Sequence, residues 1–155
     1  MAAVWRAGGE EAHTVAGLLV EFRDWMGRDE PSGADLLDGV RRLIEDPATE
    51  YLLGAVKPGG DPAGICQLRF RYGIWHTAFD CGLEDLFVRE QARGTGLGRA
   101  LCRAALTRAR DRGCARVELD VNEANYPALA LYQGLGFSWL ADPSGTRNLL
   151  MRAHL

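Results

Sequence analysis

Lysine is almost missing from this chain: Lys57 is the only one among 18 basic residues, the rest being arginine. That excludes a nucleotide P-loop, which needs a Gly-Lys-Ser/Thr step after its glycine. Histidines are few and scattered, at His13, His76 and His154, and the four cysteines Cys66, Cys81, Cys102 and Cys114 form no CxxC pair. Neither a metal site nor a disulfide framework is suggested, and buried reduced thiols are expected. No stretch approaches ~18 uncharged apolar residues, which excludes a membrane-spanning helix. There is no Gly-x-y period, no repeat and no low-complexity linker. The N-terminus lacks a basic start followed by an apolar run, because Glu10 and Glu11 interrupt it, so a cytoplasmic protein is expected.

What remains is an ordinary globular composition: 155 residues, 47% hydrophobic and 25% charged. One domain over 1–155 is expected, burying roughly 70% of its unfolded surface. The net charge of −3 gives no whole-surface case for a nucleic-acid partner, but it hides an asymmetry. Residues 1–62 hold twelve acids and six bases, whereas residues 63–155 hold nine acids and twelve bases. Within 89–116, eight arginines stand against Glu90 and Asp111. A basic cluster in an acidic protein reads as a local anion site or as a solvated helix face.

Periodicity supplies the elements. Ala3–Arg6 suits a short strand, and Val15, Leu18, Leu19, Phe22, Trp25 and Met26 form one helical stripe. After a break from Gly27 to Gly33, Leu36, Leu37, Val40, Leu43 and Ile44 mark a second helix, closed at Asp46-Pro47. Strands are expected at Tyr51–Val56, Ile65–Tyr72 and Gly82–Val88, with Gly73–Asp80 unassigned. A helix bearing Leu97, Leu101, Ala104, Ala105 and Leu106 ends at Gly113, and a strand follows at Arg116–Val121. Pro127 opens a further helix that ends near Gly134–Gly136. Phe137–Leu140 and Asn148–His154 read as a closing hairpin. The fold class is mixed α/β.

One motif stands between strand and helix: Arg93-Gly94-Thr95-Gly96-Leu97-Gly98. Glycines there let backbone N–H groups approach an anion, and the helix N-terminus adds about half a positive charge. A dinucleotide fingerprint fails, since the sixth position from Gly94 is Arg99. A pyrophosphate cradle of another design remains, favoured over a plain turn by the flanking Arg89, Arg93, Arg99 and Arg103.

The run Leu83-Glu84-Asp85-Leu86-Phe87-Val88, followed by this loop, resembles the core of the GCN5-related N-acetyltransferase (GNAT) family. Their acetyl-CoA loop has the form Q/R-x-x-G-x-G/A, which Arg93, Gly96 and Gly98 satisfy. A second match follows in order: Asn125, Ala130, Leu131-Tyr132 and Leu135-Gly136-Phe137. The resemblance implies a mixed, mostly antiparallel sheet with a central V-shaped splay, flanked by helices. It implies acetyl-CoA as cosubstrate, with the Phe87-Val88 backbone bonding the pantetheine arm like an added strand. The amides of Arg93, Gly94, Thr95, Gly96, Leu97, Gly98 and Arg99 would hold the pyrophosphate, and Asn125 would contact the arm. Tyr132 matches the family's general acid and Glu84 a general base in several members. Asp85 is the rival base, and a structural or substrate-binding role for Glu84 stays open.

Chemistry supports such roles. A lysine-like amine is neutral in only about one molecule in 2,500 at pH 7, a deficit of roughly 4.6 kcal/mol. A carboxylate can remove that proton, directly or through water, and a phenol can protonate the departing thiolate. The family's acceptor pocket corresponds here to 25–32 and 70–79. Trp25, Asp29, Glu30, Tyr72 and Trp75, with Asp85, would suit a small cationic amine through ion pairing and cation–π contact. The alternatives are a protein or peptide acceptor, or a non-catalytic acyl-CoA sensor; no metal, membrane or nucleic-acid partner is expected, and a homodimer is left open.

Overall fold

The computed structural model describes residues 1–139, 144–147 and 149–155. These fall into two compact units, Met1–Asp120 and Val121–Leu155. The first holds β1 (Ala3–Arg6), α1 (Ala12–Trp25), α2 (Gly33–Ile44), β2 (Thr49–Ala55), β3 (Gly64–Gly73), β4 (Ala78–Val88), α3 (Leu97–Asp111) and β5 (Cys114–Glu118). The second holds α4 (Tyr126–Gln133). No helix among the described residues is long and apolar enough to cross a membrane.

The sheet runs β1-β2-β3-β4-β5 in space. Its first three pairings are antiparallel and β4–β5 is parallel. Strand period 2 divides its faces. Tyr51, Leu53, Ile65 and Phe87 point to one face and pack with Val15 and Leu18 of α1 and Val40 of α2. The opposite face receives α3, and glycines admit it: a Cβ on Gly54 would stand 2.8 Å from Leu97 Cδ1, and one on Gly64 2.9 Å from Leu101 Cδ1. Gly54 and Gly64 are cross-strand partners, so together they form one flat seat for the first turns of α3.

A charged clamp holds the other end of α3. The buried Glu50 carboxylate of β2 accepts from Arg108 at 2.6 and 2.8 Å and from Arg112 at 3.2 Å. Burial alone would raise the Glu50 carboxyl, but Arg108, with Arg6 and Arg112, outweighs it and holds the group below its ordinary value. Cys66, Cys81 and Cys102 are buried free thiols, and Cys114 is half-buried. Burial pushes Cys81 up to about 12 and Cys102 to about 11, so both stay protonated.

The strands expected at Tyr51–Val56 and Ile65–Tyr72 differ by only one or two residues at their ends; three regions differ more. The unassigned 73–80 stretch resolves into a turn over 74–77 and an early start of β4 at Ala78. The strand expected at Arg116–Val121 is Cys114–Glu118, starting right after the left-handed Gly113 (φ 71°) that ends α3. In the expected closing hairpin, Leu140 and Asn148 lie outside the described residues, and 137–139 and 149–154 hold no strand. Phe137 instead closes α4. Its N–H bonds Tyr132 O at 3.1 Å, Gly136 N–H bonds Gln133 O at 3.1 Å, and Gly136 is left-handed at φ 93°. With the Phe137 ring edge-on to Tyr132 at 5.7 Å, this is a Schellman cap with its apolar contact.

Two stability measurements test this frame. Arg108→Met, which leaves Arg112 alone on Glu50, is expected to cost about 3 kcal/mol at pH 7, a fall of roughly 6–12 °C in melting temperature. Because the folded Glu50 carboxyl lies below its ordinary 4.5, the pair's contribution is present above that pH and fades as pH falls through the lower folded value. The gap between wild type and variant therefore narrows in acid; a constant gap down to about pH 3 would contradict the assignment. Gly64→Ala is expected to cost about 1–3 kcal/mol by overpacking, with part regained when Leu101→Ala is added, as calorimetry would show.

Candidate active site

The site grows from an irregularity in β4. Its register against β3 shifts between Ile65↔Phe87 and Gln67↔Glu84, leaving Asp85 and Leu86 opposite Cys66 alone. Asp85 sits at φ 53°, a left-handed conformation that Asp tolerates better than most residues. The extra residue breaks the strict alternation expected from Glu84 to Val88. Glu84 and Phe87, not Glu84 and Val88, share a face. Glu84 is directly opposite Gln67, whose Nε2 donates to Glu84 Oε2 at 3.1 Å. Phe87 stacks on Phe22 of α1 at 5.2 Å, and Val88 pairs with Gly64, whose open side faces α3.

Two adjacent carboxylates thus border the α1–α2 side. Both are exposed residues, yet the neighbouring protein removes enough hydration from their carboxyls to move them. Burial pushes the Glu84 carboxyl above its ordinary value; Arg69 opposes this, and Asp85 and Asp120 reinforce it. Burial likewise raises Asp85. Tyr51, buried beneath them, is pushed up to about 12 by burial and then by the Asp85 charge, so it stays a neutral donor.

Asp85, Tyr51 and Gln67 line a cavity of about 360 Å³ walled by Phe22, Met26 and Leu36 and edged by Arg28 and Glu30. Of the expected acceptor residues, Glu30 and Asp85 meet here. Asp29 does not line the cavity, though it lies in the loop that does. Trp25 is turned aside: its ring stacks with Phe22 at 6.1 Å and lies under the Arg93 guanidinium at 5.1 Å. Tyr72 and Trp75 lie elsewhere. Tyr72 pairs with Phe79 near the β3–β4 turn, six β4 residues from Asp85 and so roughly 20 Å along the strand. Trp75 is fully exposed at that turn.

The other edge of β4 ends in the glycine loop. Parallel pairing with β5 stops at Gly82↔Glu118, so residues 83–88 have no strand on that edge among the described residues. This is the splay. Arg89 N–H bonds Ala63 O at 2.9 Å, which makes Val88↔Gly64 a non-hydrogen-bonded pair and turns the Val88 N–H and C=O outward. Arg93 Nε takes that carbonyl at 3.0 Å. Gly94 and Gly96 are left-handed, at φ 76° and 89°, with open space where a Cβ would stand. Thr95 Oγ1 donates to Ala92 O at 2.7 Å. Ala100 makes the first helical bond, to Gly96 O at 3.0 Å, leaving the amides of Leu97, Gly98 and Arg99 without helical acceptors.

The arginine cluster is used differently from the expectation that it gathers around the loop. Arg89 grips Glu21 of α1 at 2.7 and 2.8 Å and Pro62 O at 3.0 Å. Arg108 and Arg112 serve Glu50, and Arg116 pairs with the buried Asp80 at 3.1 Å. Arg93 stays at the start of the loop, on Val88 O and the Trp25 ring, and Arg99 and Arg103 follow in the first two turns of α3. In the second unit, Asn125 caps α4: its Oδ1 accepts from Ala128 N–H at 3.3 Å, leaving its NH₂ for another acceptor. Tyr132 is buried at that helix's end.

Several positions around the candidate site were not named from the sequence: Gln67, which bonds Glu84; Tyr51 and, within the expected 25–32 segment, Arg28 in the cavity; and Gly54 and Gly64, which admit α3. A glycine inside the apolar run of β2 and another at the first position of β3 are the signals that could have marked the last two.

Comparison with known proteins agrees with this geometry. Residues 18–137 match the acetyltransferase (GNAT) family model. A Caenorhabditis elegans thialysine N-epsilon-acetyltransferase is 32% identical over 136 residues, 88% of this chain and 82% of that one. A Bacillus subtilis (strain 168) relative named for N-acetylating the alanine of ribosomal protein bS18 is 30% identical over 105 residues, 68% of this chain; the match spans 62% of that relative's length. A crystal structure described as an acetyltransferase from Arthrobacter sp. FB24 superposes with a TM-score of 0.85 at 29% identity, covering 99% of this chain and 95% of that one. The chain belongs to the GNAT acetyltransferase family.

Proposed function

We propose that this chain moves the acetyl group of acetyl-CoA to a primary amine on a small cationic molecule, by direct attack within a ternary complex. The observation that carries the reading is the bulge at Asp85. It sets Asp85 in the wall of a cavity, with Glu84 next to it in the chain, while the same strand continues as an open edge into the glycine loop. At about 360 Å³ the cavity lies at the small end of ligand pockets, which favours a metabolite over an extended peptide. The name of the C. elegans relative, for the N-epsilon of thialysine, supports the same class.

The residues fit acetyl-CoA. The outward Val88 N–H suits a pantetheine amide, and the left-handed glycines with the free amides of 97–99 suit a pyrophosphate. Glu84, raised by its surroundings and oriented by Gln67, accepts the ammonium proton so that the neutral amine attacks the thioester carbon. The C–N bond forms and the C–S bond breaks; Tyr132 gives its proton to the departing sulfur, and the surplus proton on the acylated nitrogen, passed directly or through water, restores the phenol. A thiol near pKa 8.5 needs this donation only moderately.

Glu84→Gln is expected to lower kcat/KM by about 10²–10⁴ in an assay of free CoA release. In wild type, kcat/KM falls as pH drops through the raised Glu84 value, since only the carboxylate is a base; the variant loses that limb. An unchanged rate and profile would remove Glu84 from the role and leave Asp85, tested by Asp85→Asn. Tyr132→Phe is expected to show a smaller loss in kcat. Gly96→Val forces a β-branched residue into φ 89° and sets its side chain in the anion cradle. Acetyl-CoA affinity by calorimetry should drop at least about tenfold; retained affinity would refute the loop assignment.

A further inference from the structure

The cavity's charges divide into those already satisfied and those that are not. Arg23 is spent on the protein: it pairs with Asp24 at 2.7 Å and donates to Pro31 O at 2.8 Å, fixing the loop between α1 and α2. Asp35 accepts from Ser32 Oγ at 2.7 Å at the start of α2. The side chains of two lining residues of that loop, Arg28 and Glu30, have neither a hydrogen bond nor an ion pair among the described residues, although the Arg28 backbone N–H bonds Arg23 O at 3.2 Å. They edge a cavity whose far wall, on the sheet, carries Asp85, Gln67 and Tyr51. Lone opposite charges on the loop thus face a carboxylate on the sheet.

From this arrangement, resting on the small-amine reading above, we infer that the acceptor is a zwitterion of the diamino-acid type. Arg28 takes its carboxylate, Glu30 its head ammonium, and the distal amine reaches the Glu84–Asp85 end. A ligand filling this cavity displaces water from the Arg28 guanidinium, and an unpaired charge is costly once its hydration is gone. Phe22, Met26 and Leu36 on the walls have no acceptor to offer in its place. A plain diamine satisfies Asp85 and Glu30 but brings a second cation beside Arg28. A diamino acid of equal length satisfies all three, and its carboxylate matches the guanidinium fork.

The test uses pairs that differ only in the carboxylate: lysine against cadaverine, and ornithine against putrescine, assayed for CoA release with the full chain. Wild type is expected to favour the diamino acid by roughly 10–100-fold in kcat/KM, the range of a hydrogen bond to a charged group. Arg28→Glu should abolish or reverse that ratio, mainly through KM. Arg42→Glu, the same charge change on the exposed end of α2 outside the cavity, should keep the wild-type ratio. Melting curves confirm that each variant is folded. Equal kcat/KM within the pairs, or a ratio that Arg28→Glu leaves intact, overturns this inference while the small-amine reading stands. Acetylation of peptides with no transfer to any of the four amines overturns both.

Discussion

The close contact between α3 and the sheet is the constraint on which the site depends. Leu97 and Leu101 rest where Gly54 and Gly64 lack side chains, so the helix N-terminus comes close to the sheet beside Val88, the cross-strand neighbour of Gly64. A Cβ at either glycine would push the helix away and lift the glycine loop from the end of β4. The loop's anion-binding capacity comes from its own backbone, but its position comes from two residues far from it in sequence. Arg89 reinforces this by tying the loop's base to Glu21 on α1 and to Pro62 before β3. The seat and the clamp act on the two ends of one connection, and little freedom remains between them.

One inserted residue accounts for the other half of the site. Without the bulge, continuous alternation from Phe87 would put Asp85 on the α1–α2 face and send Glu84 to the α3 side, away from Gln67. With it, Glu84 and Phe87 share the α1–α2 face, Glu84 faces Gln67, and Asp85 still borders the cavity. Partial burial then raises both carboxylates above their ordinary values, and the Asp85 charge adds to the rise at Glu84. Their elevation follows from where the bulge sets them, and its direction is the one that strengthens a carboxylate as a base.

The elements were legible where one local signal dominated. The stripe of α1, the Pro127 start of α4 and the Gly94–Gly98 turn all appear as expected, because periodicity and glycine chemistry act within a few residues. The carboxylate pair was also legible as residues, though not as geometry: nothing in Leu83–Val88 announces a bulge, since it is set by register against β3. Tyr72 and Trp75 do not line the cavity: the family correspondence put segment 70–79 at the acceptor pocket, but the length of the β3–β4 hairpin carries both residues away from Asp85. The Leu-Gly-Phe run was read as leading into a strand, whereas its glycine and phenylalanine complete a helix cap whose ring contact holds Tyr132.

Charge shows most clearly how tertiary structure reassigns a sequence signal. An acidic N-terminal part and a basic later segment suggest two surfaces, each awaiting an external partner. The structure instead spends much of that imbalance internally: Glu21 and Glu50 come from the acidic part, and Arg89, Arg108 and Arg112 from the basic one. These pairs bridge α1 to the base of the glycine loop and β2 to the far end of α3, joining segments 58 to 68 residues apart. Exposed ion pairs of this kind would add little, but the buried Glu50 carboxylate needs its guanidinium partners to remain ionised. The asymmetry therefore acts first as an instruction for assembly. Among the side-chain charges left after it is satisfied are Arg99 and Arg103 in the first turns of α3 and Arg28 and Glu30 beside the cavity, which stand where ligands would meet them.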